Sequence, residues 1–201
     1  MKKFIKTNAQ STLSKQISDI NDLIPPAVPV YTLEQDAGGL YFPLIKGADA
    51  VPGALVEAVD AAGSVLASAT ADLSGAWSMT DFPALPVGTS TVRLRQTVDT
   101  VVSAVSAPAD VTMAPPPVVS QPAEGAVVDA TDFVMQLTGA SGADAQRIVN
   151  GAVRETPMPL TDGTWLGSFS IAQGPVNLGI RYLDPVTGRF GLTATRLFTA
   201  Q

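Results

Sequence analysis

Two stretches of this chain place a tryptophan two residues after a glycine: SGAWS at 74–78 and DGTWLGS at 162–168. Each is followed by a loop containing a further glycine, Gly88 or Gly174, and then by an apolar-alternating strand that carries arginine. Trp165 stands 88 residues beyond Trp77, and Gly174 stands 86 beyond Gly88. So constant an offset means tandem copies of one module, a pattern that constrains fold choice more than any single motif.

Each copy reads as strands and turns. In TSTVRLRQTV, Val92, Leu94, Gln96 and Val98 alternate with Arg93, Arg95 and Thr97, the period of a half-buried strand. GALVEAVD, the turn DAAG and SVLASATAD predict a hairpin. YFPLI predicts a strand that Pro43 restricts to an edge or bulge. In the second block, Asn150-Gly151 is the strongest short hairpin signal. Short strands at this spacing indicate sandwiches. APPPVV at 114–119 reads as a stiff joint. The expected organisation is a first domain over 39–113, a linker over 114–119 and a second domain over 120–201.

Composition narrows the chemistry. The chain has 201 residues and neither cysteine nor histidine. Disulfides and the usual thiolate or imidazole metal sites are therefore excluded, as is catalysis by Ser-His-Asp or Cys-His. G-x-S-x-G, Walker and G-x-G-x-x-G patterns are absent, and no carboxylate pair sits in a recognisable motif. We expect no catalytic residues, no cofactor and no metal. Asp129 and Asp132 lie close in sequence but lack the further oxygen ligands that calcium needs. No apolar run reaches the length of a membrane span.

Charge is unevenly placed. Lys2, Lys3, Lys6 and Lys15 precede the first acid, Asp19. The remainder carries 8 of the 12 basic residues and all 18 acidic ones. An acidic body argues against nucleic acid as a ligand.

The N-terminus begins like an export signal but turns polar at KTNAQSTLSKQ, so no signal peptide is expected. Leu13, Ile17, Ile20 and Ile24 then recur at helical spacing, with Leu23 beside them. Ser11 suits an N-cap, and Pro25-Pro26 ends the predicted helix. So short a helix needs a surface to pack on. Its own β domain, a partner protein and sister copies all qualify. We take residues 1–26 as a docking arm, and residues 27–38 as an extended, proline-containing spacer.

The run from Ile45 to Thr97 resembles bacterial Ig-like domains. The matching features are Ile45, Gly47, Pro52, Gly53, Val56, Gly63, Asp72, Gly75, Trp77, Leu85, Gly88 and Thr89. Block two shares DGTW, a QG loop and the strand pattern. The resemblance implies an all-β chain of two tandem Ig-like β-sandwiches, with Trp77 and Trp165 in or over their cores. The other reading of those tryptophans is exposed binding platforms. Cadherin-like relatives bind calcium at module junctions, but 114–119 holds no carboxylate.

Ig-like modules of this kind also resemble those of tailed-phage virion proteins, which are made in the host cytoplasm and displayed without secretion. That resemblance implies a non-enzymatic virion protein, with capsid-surface decoration as the leading expectation. A tail-associated accessory protein and a bacterial surface adhesin module are the alternatives. The expected partners are a virion protein contacted through the arm, a host cell-surface glycan or protein, and other copies on the particle.

Overall fold

The computed structural model describes residues 25–201. The predicted helix and its stripe, Leu13, Ile17, Ile20, Leu23 and Ile24, lie outside the described residues. Everything described is strand, turn or irregular, apart from one 3-10 turn at Thr161–Gly163. Two compact units result. The first comprises the described residues to Leu33, Ile45–Met79 and Thr91–Ala109; the second comprises Glu34–Leu44, Thr80–Ser90 and Asp110–Gln201.

The first set of strands is β1 (Thr32–Glu34), β2 (Leu44–Gly47), β3 (Leu55–Val59), β4 (Val65–Thr70), β5 (Trp77–Met79), β6 (Gly88–Val98), β7 (Val101–Val102) and β8 (Ala109–Met113). One sheet has the order β1-β2-β5 and the other β4-β3-β6-β7, with β8 also on β6. Alternation decides which side chains are inside. Val92, Leu94 and Gln96 of β6 are buried, while Arg93, Arg95 and Thr97 between them are only partly so. Ile45 and Met79 from one sheet, and Val56, Ala58 and Leu94 from the other, are each at most 3% exposed. Burial on that scale, at roughly 25 cal/mol per Å² of apolar surface, is what holds a disulfide-free sandwich together.

The second set is β9 (Val118–Gln121), β10 (Val127–Val128), β11 (Phe133–Thr138), β12 (Asp144–Val149), β13 (Ala152–Pro159), β14 (Thr164–Phe169), β15 (Gly174–Leu183) and β16 (Phe190–Ala200). Its sheets run β14-β11-β9 and β10-β16-β15-β12-β13. Met135, Leu137, Leu160, Leu178 and Ile180 form the centre of its core.

The two sets share one plan. With β10, a short strand added along β16, and β8, added on β6, left aside, each has a three-stranded sheet of its first, second and fifth strands and a second sheet of its third, fourth, sixth and seventh. This is the two-sheet arrangement of an Ig-like sandwich. The tandem read from SGAWS and DGTW is therefore a duplication of topology. Trp77 opens β5 and Trp165 lies in β14, its counterpart. Gly88 and Gly174 open β6 and β15, with φ of 99° and 118°.

Local chemistry explains the turns. Asn150 and Gly151 both have positive φ, as a two-residue hairpin needs, and join β12 to β13. Asp60 accepts the backbone N–H groups of Ala62 and Ser64, each at 2.8 Å, and closes the β3–β4 hairpin. The strand expected from YFPLI starts only at Leu44, because Pro43 has no N–H to donate to a ladder. Within the expected spacer, Thr32–Glu34 forms the short strand β1.

Candidate functional site

Three places in the described chain combine shape with polar chemistry. The first surrounds Trp77. Its ring is 5% exposed and sits against Gly47, its cross-strand partner on β2. A Cβ on Gly47 would stand 2.8 Å from the indole nitrogen, so the close approach requires glycine there. The indole N–H is buried with no hydrogen-bond partner among the described residues. Beside it runs a groove of about 960 Å³, lined by Tyr31, Lys46, Asp49, Thr70, Asp72 and Trp77 among others.

The groove's carboxylates are already occupied. Asp49 accepts the Val30 N–H on both oxygens, at 3.1 and 3.2 Å. Asp72 accepts the Ser74 hydroxyl at 2.6 Å and the N–H groups of Ser74 and Ala76 at 2.7 and 3.0 Å. Those bonds, the Ser74 hydroxyl foremost, hold the Asp72 carboxyl below the ordinary aspartate range. Asp60, Asp129 and Asp184 are lowered by turn bonds of the same type. Asp129, considered above for calcium, accepts both the N–H and the hydroxyl of Thr131 at 2.7 Å.

The second place is the anchor of the segment that follows the arm. Gln96 is 1% exposed and its amide is satisfied on both sides. Its Oε1 accepts the Val51 N–H at 2.9 Å, and its Nε2 donates to the Ala27 carbonyl at 2.7 Å. A buried amide bonded in this way fixes its partners, because breaking either bond strands a polar group. Residues just beyond the predicted arm are thus fastened to β6.

The third place is the mouth of the second sandwich, between β13 and β14. Trp165 is partly buried and packs on the core cluster. It stacks on Phe169 at 5.4 Å and 12°. Gly167 lies under it: a Cβ there would come within 2.6 Å of the indole. The Arg147 guanidinium covers Phe169, 3.6 Å from the ring centroid. The cavity beside them has a volume of about 620 Å³; its lining includes Arg147, Arg154, Phe169, Ser170 and Ala152.

The sequence singled out Trp77 and Trp165, and each lies against its own sandwich. It did not single out Arg147 as inward-facing. The signal was present: Ala145, Arg147 and Val149 share one strand face, and the two flanking residues are core.

Fold and sites define the class: a tandem of Ig-like β-sandwiches. No family model and no curated protein matches the sequence. Among solved structures, a biofilm-associated protein's BSP domain matches at 15% identity and a TM-score of 0.30, over 85% of this chain and 29% of the other. A tetra-tandem repeat from the extending region of a large adhesion protein matches at 18% and 0.31, over 85% and 47%. The chicken interferon gamma receptor alpha chain matches at 8% and 0.32, over 88% and 99%. This chain spans less than half the length of either of the first two. At these identities and TM-scores, no role is carried over from them. Among the described residues, no helix is long and apolar enough to cross a membrane.

Proposed function

We propose that this chain is a non-enzymatic structural protein that displays two Ig-like modules at a surface, mounted there by residues 1–26. The specific role proposed is decoration of a phage capsid, with the modules projecting outward to meet a host glycan or protein. The carrying observation is the Gln96 clamp on Ala27. It fastens the residues that follow the arm to strand β6, so the arm leaves the first module from a fixed point. The non-enzymatic reading is supported by the aspartates, several of which spend their carboxylates on holding turns.

The arm supplies the energetic motive. Leu13, Ile17, Ile20 and Ile24 share one face of a helical register. Each such side chain contributes roughly 1.5–3 kcal/mol when buried. Ordering and association costs consume much of that total, so repeated copies on a particle raise occupancy through avidity. Lys2, Lys3 and Lys6 add a salt-sensitive attraction to an acidic platform.

Two versions of the protein test this: residues 27–201 alone, and residues 1–26 fused to a neutral reporter. Only the second joins particles if the reading holds. Full-occupancy attachment of residues 27–201 would move docking onto the modules and overturn it.

A further inference from the structure

We infer that the mouth of the second sandwich is a binding site for an acidic saccharide, with Arg147 and Arg154 gripping its carboxylate or sulfate group. The starting point is an anomaly in β12. Arg147 lies on the same strand face as Ala145 and Val149, both in the core cluster. Its cross-strand partner on β13 is Arg154. Like charges directly opposite one another destabilise a sheet. A partly buried cation without an anion is costlier still.

The duplicated fold shows that the anomaly is not required by the architecture. Leu94 of β6 pairs with Ala58 of β3, and Ile180 of β15 pairs with Arg147 of β12. Ala58 is therefore the counterpart of Arg147. On its other side Ala58 pairs with Ala67, as Arg147 pairs with Arg154. Both alanines are buried. The second sandwich places two guanidiniums where the first closes its core with two methyl groups.

Neither arginine is neutralised by a carboxylate among the described residues. The described ion pairs are Arg95 with Glu57 and Arg196 with Glu124. The Nε of Arg147 is buried without a hydrogen-bond partner. Burial, and then the Arg154 charge, both press the Arg147 pKa down. Stacking on Phe169 leaves the in-plane donors of the guanidinium unused, because those donors point outward from its edge. Two such forks match an oxyanion.

The cavity's size and lining select the rest of the ligand. About 620 Å³ is far more than a lone oxyanion fills. Ser170 is exposed and supplies a hydroxyl, while Ala152 and Ala172 leave room beside it. Both faces of Phe169 are covered, by Trp165 and Arg147, so the ring is no stacking platform. The site therefore holds its ligand by charge and hydrogen bonds, and a hydroxyl-rich body suits it.

Titration calorimetry on the full chain tests this with four probes: oligogalacturonate, a neutral oligosaccharide of equal length, free sulfate and poly-glutamate. Binding of oligogalacturonate is expected, weakening as salt rises. Arg154→Gln should reduce affinity roughly tenfold, the loss of one charge-assisted contact. Arg154 is exposed and opposes a like charge, so the variant's thermal stability should be equal to the parent's or slightly higher, which separates lost binding from lost folding. Arg147→Lys keeps the charge, loses the fork and should weaken binding as well. The neutral sugar should not bind. Equal binding by free sulfate, preference for poly-glutamate, or unchanged affinity in Arg154→Gln would each overturn the assignment.

Discussion

Trp77 and Trp165 occupy counterpart strands of a duplicated fold, yet their surroundings differ. Trp77 is almost wholly buried, pressed on a glycine from the neighbouring strand. Trp165 is half-buried, laid over Gly167 of its own strand and capped by Phe169 and then Arg147. One motif thus yields a core plug in the first sandwich and a rim stack in the second. The other counterpart positions diverge in the same direction. Glu57 and Arg95 form an ion pair at 2.8 Å in the first sandwich. At the matching register in the second, Gln146 accepts two hydrogen bonds from Arg181. The duplication preserved the strand plan and altered the side chains set upon it.

The sharpest test of this contrast is removal of each tryptophan. Trp77→Ala should cost about 3–5 kcal/mol, the range for deleting a buried aromatic. Trp165→Ala removes a stack and partial burial, and should cost about 2 kcal/mol. Each variant removes the only tryptophan of the sandwich it destabilises, so unfolding is followed in denaturant by circular dichroism, with the remaining tryptophan's fluorescence marking the unaltered sandwich. Equal costs would break the distinction between plug and rim.

The glycines that open β6 and β15 come next in size. Gly88 and Gly174 have positive φ, and a Cβ at either would meet open space. Only backbone strain therefore opposes a side chain there. Gly88→Ala and Gly174→Ala should each cost about 1–2 kcal/mol by chemical denaturation. Here the two sandwiches should respond alike, as a conserved turn should, in contrast to the tryptophans.

These examples show what the sequence made legible. Backbone features announce themselves locally: Asn150-Gly151 demands one turn type, and alternation in TVRLRQTV exposes one strand face. The near-constant offset then revealed the duplication, because turn glycines and strand tryptophans are tied to fixed places in the plan. The clamp of Gln96 on Ala27 was half legible. Alternation put Gln96 inside, but its partner lies 69 residues earlier and no local pattern links them. The Arg147–Arg154 pair stayed hidden because a charged residue reads as solvent-facing until the strand register shows what flanks it. The Ser74-bonded Asp72 was noticed only as part of a family pattern, and its carboxylate's role is a matter of turn geometry.

That carboxylate supplies the smallest expected effect, and it separates the two sandwiches again. In the first, the turn before the tryptophan is closed by Asp72, through Ser74 and Ala76. In the second, the counterpart turn is a 3-10 turn, with Asp162 at φ 51° and Gly163 at φ 76°. Because the folded state holds the Asp72 carboxyl below the ordinary aspartate range, ionisation favours folding. That contribution is fully present above the ordinary value and is lost as the pH falls through the lowered folded value. Asp72→Asn keeps an oxygen that accepts the same N–H groups but cannot titrate. The variant should therefore be less stable than the parent at pH 7, with the gap closing in acid. Thermal melts followed through Trp77 fluorescence in a Trp165→Phe background, from neutral pH down to about pH 2, should show the two curves converging below about pH 4. Asp129 and Asp184 leave the second sandwich its own acid sensitivity, which Asp72→Asn should not alter when followed through Trp165 in a Trp77→Phe background. A constant gap at every pH would mean that the Asp72 bonds shape the turn without their charge contributing to stability.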